Sequence, residues 1–459
     1  MRLLLVSHGF PPEASAGVEL HTQQLAQALS ARGHVVAVFC REGDPRGPEF
    51  RRRFSSQNGL PVWRINNNFV DVAEYAGYYR RPEPEAHFRR VLQEWRPDLV
   101  HFQHCLGLSA ALPVIAREAG VPAVLTLHDF WYLCPTVQLR NARGEACPGT
   151  HHAVNCFECL RFVDPRLGRL RRSGFYRQMR AVIPAGWRQR LAAPAAAGPP
   201  PAPQTPSEAQ RSAMAARTDF MRQALAAPAH LTTPSQFLKD VYAEFGVPAG
   251  RIQAIPLGLE RERWQNVRRR PGTPHGLRAL FLGGRLAHKG VLLALDAFRA
   301  LVGPAHSLRL AGPAGHEPAV LAQITTRLTA DPRVAWVGQV PQTHLPELMA
   351  DSDVLLIPTL WPETFSFVAR EALLAGLWVL AADLGVMPEL IQPGRNGELL
   401  PPRDAPAWTA ALERAAARLS SANEGPPDAP APDLSFAPLT HAEYAAQMEM
   451  LYVSAGAPA

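Results

Sequence analysis

The sequence predicts two doubly wound α/β domains, each a parallel sheet covered by helices, with a ligand cleft between them. Three observations carry this. An apolar run, an amphipathic run and a second apolar run succeed one another between Leu3 and Phe39, a strand–helix–strand unit whose strands must be parallel. The alternation breaks off and starts afresh near Arg278. Finally, 459 residues with 47% apolar content exceed what one core accommodates and are enough for two.

The elements follow in order. Residues 3–6 read as a strand, followed by a Gly/Pro-rich turn through Ala16 and Gly17. A helix is expected over 18–32, where Leu20, Leu25, Ala28 and Leu29 share one face. Gly33 ends it, and 35–39 form the next strand. Then come a strand at 99–102, a helix at 108–119 and a strand at 123–127. Residues 134–218 interrupt the rhythm, and 191–210 are rich in Ala and Pro without periodicity, as in a flexible insertion. Order resumes with a helix at 219–226, a strand at 230–233, a helix at 235–245 and a run at 252–256. The second series has strands at 278–282, 307–310, 334–337, 354–358 and 379–381, five or six in all. A Pro/Ala/Asp stretch at 425–438 precedes a last helix, 441–452. The expected domains are 1–260, with that last helix packing back on it, and 261–435. Ligands of such sheets bind at the carboxyl ends of the strands.

Composition narrows the partners. No run approaches ~18–20 apolar residues, so no membrane-spanning helix is expected. The opening apolar run is too short for a signal peptide, and a cytoplasmic protein is expected. A net charge of +7 suits nucleotide phosphates, anionic lipid or nucleic acid, but no nucleic-acid-binding module is recognisable, so no nucleic-acid partner is expected. Six cysteines without a secretion signal argue against a disulfide framework. Of 47 basic residues only Lys239 and Lys289 are lysines. A position that keeps Lys against so strong an Arg bias is a candidate for a site needing a compact ammonium.

Lys289 lies in Gly283-Gly284-Arg285-Leu286-Ala287-His288-Lys289-Gly290, at the end of the second domain's first strand. Glycines let the backbone approach a ligand, and Arg285 with Lys289 suits a diphosphate, a forked guanidinium beside a point charge. A second segment, Trp361-Pro362-Glu363-Thr364-Phe365-Ser366-Phe367, ends a strand, and a helix is expected to begin near Phe365 with Glu371 inside it. A helix start favours an anionic ligand, and two carboxylates there can accept hydrogen bonds from sugar hydroxyls; as plain structure they read as a capping acid and a solvated acid. Asp351-Ser352-Asp353 precedes a buried strand and reads as a turn and cap.

These motifs, with Ala16-Gly17-Val18-Glu19-Leu20-His21, Asp383 to Leu390 and Gly394-Arg395-Asn396-Gly397, resemble the retaining glycosyltransferases of family 4, which have the GT-B fold. The likeness covers most of the chain outside 134–218. It implies transfer of a sugar, hexosyltransferase-like, from a nucleotide-sugar donor such as a UDP- or GDP-sugar to a saccharide or lipid-linked acceptor, with retained anomeric configuration, in cell-surface polysaccharide or glycoconjugate synthesis. It implies that Arg285 and Lys289 hold the donor diphosphate and steady the leaving group. Glu371 would hold the ribose. Glu363 would hydrogen-bond the donor sugar, with backbone N–H groups of Phe365, Ser366 and Phe367. Gly17 would let its loop close over the phosphates, and His128 would face the sugar, with Asp129 placed to orient it. The basic pair would make a catalytic metal or other cofactor unnecessary. Ala16, where a second glycine is common, and Leu384, in a loop usually built of small residues, depart from the pattern and bear on the fit of the donor sugar. A competing reading keeps the scaffold as a non-catalytic nucleotide-sugar or glycan-binding protein.

Two features lie outside the likeness. Cys134, Cys147, Cys156 and Cys159 suit either a tetrahedral structural zinc site or buried free thiols, while Cys40 and Cys105 read as core. Between Arg161 and Arg190 nine arginines and one acid, Asp164, alternate with apolar and aromatic residues. This suits peripheral contact with the inner face of an anionic membrane, or a solvated face inflated by the Arg bias.

Overall fold

The computed structural model describes residues 1–72, 74–140, 147, 156, 159, 207–268, 270, 276–315, 317–421 and 438–458. They fall into two compact units, one continuing to Gly258 and resuming at Leu439, the other spanning Leu259 to Pro438. The basic segment between Arg161 and Arg190, the Ala/Pro run up to 206 and most of the 425–438 stretch lie outside the described residues.

The first unit is built on eight strands: β1 (Arg2–Ser7), β2 (Val35–Glu42), β3 (Arg52–Gln57), β4 (Leu60–Asn66), β5 (Leu99–Phe102), β6 (Ala123–Thr126), β7 (His230–Thr233) and β8 (Ile252–Ala254). Their order is β3-β4-β2-β1-β5-β6-β7-β8. Leu3, Leu4, Leu5 and Val6 are each fully buried, because a central parallel strand covered on both faces must be apolar throughout rather than alternating. Sequence reasoning missed the β3–β4 hairpin, which is the antiparallel pair of this sheet, and the helix Pro82–Trp95. The hairpin turns at Asn58 and Gly59, with φ of 50° and 80°, a two-residue turn whose positive φ values match the strand twist.

The helix Gly17–Ala31 buries Leu25, Ala26 and Leu29. The helix Glu208–Ala226 begins well before the expected residue 219, because Ser207 and Gln210 form a reciprocal capping box. A second such box, Thr440 with Glu443, opens the terminal helix His441–Ser454. That helix packs on Gly17–Ala31 and on β6, burying Tyr444, Met448, Leu451 and Tyr452.

The second unit has six strands: β9 (Arg278–Leu282), β10 (Ser307–Ala311), β11 (Val334–Gly338), β12 (Val354–Ile357), β13 (Trp378–Ala382) and β14 (Gly397–Leu400). They run in the order β11-β10-β9-β12-β13-β14, and every pair is parallel. Fully buried Trp408 and Phe298 anchor one face of the core, with Trp264 and Met349 in the other.

Strand order fixes where chemistry can occur. In the second sheet chain progression reverses between β9 and β12, and in the first between β1 and β5. At such a switch point the loops leaving two neighbouring strands diverge to opposite faces and open a crevice at their carboxyl ends.

Candidate active site

The second unit's candidate residues sit at its switch point. The loop after β9 carries Arg285 and Lys289; the loop after β12 carries Glu363. Leu360 N–H donates to the His288 carbonyl at 2.7 Å, tying the loops together. Gly290 makes the close approach possible: its φ is +72°, and a Cβ there would lie 1.7 Å from the Pro358 carbonyl oxygen. Gly385 does the same for the second loop, since with φ +66° its Cβ would fall 2.5 Å from the Glu363 carbonyl oxygen, which accepts from Val386 N–H at 2.9 Å.

Held this way, Lys289 Nζ donates to Glu363 Oε1 at 2.8 Å and lies 5.2 Å from the Trp361 ring centroid. Burial works to raise the pKa of Glu363, but the Lys289 ammonium, by charge and hydrogen bond, holds the carboxyl below its ordinary value. Glu371 stands in the helix Phe367–Leu374. Burial pushes its pKa up to about 7, Arg263 opposing and Glu260 reinforcing the rise. The two glutamates are thus shifted in opposite directions. Glu363 is a paired carboxylate, and Glu371 is poised near neutrality.

The helix starts at Phe367 rather than near Phe365, because Ser366 is left-handed with φ 55° and breaks the helical path. No side chain caps this N-terminus. Arg370, unnoticed in the sequence, braces the bend. It is buried, its Nε donates to the Phe365 carbonyl at 3.2 Å, and its guanidinium carbon lies 4.2 Å from the Phe365 ring centroid. Arg285 is engaged elsewhere: its Nε donates to the Ala314 carbonyl at 2.9 Å, and its guanidinium stacks 4.4 Å from the Trp336 ring centroid. Asp351 and Asp353 precede β12, at the opposite end of the sheet, where Asp353 pairs with Arg278 at 2.8 Å and Asp351 with Arg270 at 3.1 Å.

The first unit gathers polar side chains at its own switch point. The register Val6↔Phe102 and Phe102↔Leu125 brings the residues that follow β1, β5 and β6 side by side. These include His8, Gln103, His104, His128 and Asp129. His128 is buried; burial, then the surrounding histidines, hold it well below the usual imidazole range, so it is neutral. Its Nε2 meets Gln103 Oε1 at 2.7 Å. Asp129 does not orient His128. Its Oδ2 faces His104 Nε2 at 3.0 Å, and its Oδ1 accepts from Trp131 N–H at 2.8 Å. Sequence reasoning missed His8, which pairs with Glu19 Oε1 at 3.1 Å and meets the His104 ring at a centroid distance of 4.5 Å. Gly17 is the exposed first residue of its helix, after an Ala16 that makes no side-chain cap.

Cys40 and Cys105 are fully buried, and burial pushes both thiols up to about 12. Cys134 is buried and Cys147, Cys156 and Cys159 half-buried, none of them in a disulfide; Cys156 is raised to about 12 by burial and by the other three cysteines, against Arg217. Among the described residues no group of three or more His, Cys, Asp or Glu side chains is arranged to hold a metal ion, and no helix is long and apolar enough to cross a membrane.

The two units match two family models. Residues 16–258 match the glycosyl transferase 4-like domain and 277–418 the glycosyl transferases group 1 domain. A glycogen synthase of Mycobacterium tuberculosis is 25% identical over 416 residues, covering 90% of this chain and 85% of that protein. An MMP alpha-(1->4)-mannosyltransferase of Mycolicibacterium hassiacum is 24% identical over 449 residues, covering 90% and 89%. Among solved structures, sucrose-phosphate synthase from Thermosynechococcus elongatus superposes with a TM-score of 0.64 at 18% identity, covering 99% of this chain and 98% of that one. The architecture is therefore GT-B. The chain belongs to the glycosyltransferases built from a glycosyl transferase 4-like domain followed by a group 1 domain, and its activity is glycosyl transfer.

Proposed function

We propose that the chain moves a sugar from a nucleotide-sugar donor to a saccharide or lipid-linked acceptor with retention at the anomeric carbon. The observation that carries this is the Lys289–Glu363 pair at 2.8 Å, at the switch point of the second sheet beside an uncapped helix start. An ammonium, a helix start whose N-cap side chain makes no capping hydrogen bond, and two carboxylates whose pKa values are shifted in opposite directions suit a ligand that is anionic at one end and polyhydroxylated at the other.

In this reading Lys289 and Arg285 bind the diphosphate, which requires Arg285 to leave Trp336. Glu371, ionised on binding, accepts from the ribose hydroxyls. Glu363, with backbone N–H groups of Phe365, Ser366 and Phe367, fixes the donor sugar. Gly17 admits the phosphates to its loop, and His128 serves the donor sugar. As the bond from the anomeric carbon to the diphosphate oxygen breaks, charge grows on that oxygen and Lys289 stabilises it. The acceptor hydroxyl adds to the same face, and its proton passes to the departing diphosphate.

Anabaena HepE, which shares the fold at a TM-score of 0.63 and 16% identity, has been solved with UDP, and UDP is a reasonable first ligand. A thermal-shift series with UDP, GDP and ADP tests donor binding, since an occupant of the folded state raises the melting temperature. One nucleotide should stabilise wild type and fail to stabilise Glu371→Ala. Equal shifts in both proteins, or none in wild type, would sink the donor assignment. NMR of the product anomer then decides retention.

A further inference from the structure

A chain of buried hydrogen bonds leads away from His128 and ends on the terminal helix. Gln103, directly after β5 and 1% exposed, presents Oε1 to His128 Nε2 at 2.7 Å. Its amide nitrogen approaches the two ring nitrogens of His101 at 2.9 and 3.1 Å. His101, fully buried on β5, meets the Tyr452 hydroxyl with Nδ1 at 2.7 Å and Thr126 Oγ1 with Nε2 at 2.8 Å. Thr126 in turn meets Thr232 at 2.8 Å. Residues of β5, β6, β7 and the terminal helix are thus linked through the His101 ring, and the Gln103 amide joins that ring to His128.

The chemistry of the amide decides what this does. A carboxamide oxygen only accepts, so the Nε2 of His128 must carry the proton and its Nδ1 keeps the lone pair. A histidine whose tautomer is free divides its population between two states; one whose ring nitrogen is held by a fixed acceptor does not. The amide can be fixed because its nitrogen end lies against the His101 ring, which Tyr452 and Thr126 hold in place.

We propose that Gln103 and, through His101, Tyr452 are positioning residues for glycosyl transfer: they hold His128 as the Nε2–H tautomer in one ring orientation, which makes the terminal helix part of the catalytic apparatus. This rests on the role proposed above for His128.

The test uses the full chain labelled with 15N-histidine, with the His128 resonances identified by their loss in His128→Ala. Wild type should show the Nε2–H tautomer alone. Gln103→Met, close in volume but with only a weakly accepting thioether in place of the amide, should lose that single-tautomer signature. Its kcat should fall about tenfold or more, as when a group orienting a functional imidazole is removed, while the donor KM stays within about twofold. Tyr452→Phe, a milder change should Gln103→Met fold poorly, should shift the same resonances with a smaller fall in kcat. A wild-type His128 protonated on Nδ1 overturns the proposal, as does Gln103→Met with unchanged tautomer or undiminished kcat. A fully active His128→Ala would overturn the role of His128 in the reaction, while the spectrum would still decide whether Gln103 sets its tautomer.

Discussion

At the scale of single residues, Glu371 and Lys289 make opposite demands on the fold. Glu371 has a folded pKa of about 7 against an ordinary 4.5. Between those values the folded chain keeps a proton that the unfolded chain has released. Stability therefore falls as pH rises through the window and is lower above it by about 3 kcal/mol. Glu371→Gln should melt a few degrees above wild type at pH 8 and at nearly the same temperature at pH 5. It should also bind donor more weakly at pH 8, because the ionised acid offers two charged acceptor oxygens and the amide one neutral one; a variant that loses stability at pH 8 would contradict the assignment. In wild type the donor should bind more tightly as pH rises through about 7. Lys289→Ala leaves Glu363 as a half-buried carboxylate without its ammonium. A cost of about 2 kcal/mol is expected, below the usual figure for a fully buried pair because the ammonium is partly exposed. Turnover should fall about a hundredfold or more, with the circular dichroism spectrum retained. Wild-type turnover would remove Lys289 from the mechanism.

At the scale of elements, the loops after β9 and β12 keep their shape through glycines whose neighbours leave no room for a side chain. Gly290→Ala would force a methyl group onto the Pro358 carbonyl in a left-handed conformation. The expected result is a lower melting temperature together with loss of the nucleotide-induced thermal shift, since the strain sits on the contact that joins the two loops. Unchanged nucleotide binding would show that the loops keep their arrangement without it. How much of this could be read beforehand depended on burial. Strands sealed on both faces, such as β1 and β12, announce themselves as unbroken apolar runs, and both sheets were recognised from them. The β3 strand, Arg-Arg-Phe-Ser-Ser-Gln, lies at a half-exposed edge and carries no such run; Asn58-Gly59 was the signal that could have revealed its hairpin. Lys289 and the two glutamates were legible because each stands in a local motif. Gln103, His104 and His8 were not, because no spacing along the chain links them; only the register of three neighbouring strands does. Arg370 was hidden for a similar reason, as its partner is the backbone bend at Phe365.

At the scale of the whole molecule, the first unit is assembled from separated stretches of chain, and the terminal helix supplies much of its closing surface. Tyr444, Met448 and Tyr452 are essentially fully buried in it, and each such side chain contributes roughly 1.5–3 kcal/mol. A chain ended at Pro438 should therefore lose the first unit's cooperative melting transition, while the second unit, whose core excludes that helix, should still melt on its own. A single undisturbed transition for both in differential scanning calorimetry would contradict this. The same arrangement dictates a timetable during synthesis. Because residues 259–438 interrupt the first unit, a ribosome must deliver all of the second before the helix that seals the first emerges. The later-made half can therefore reach its native state sooner, leaving the amino-terminal sheet to wait with an apolar flank exposed.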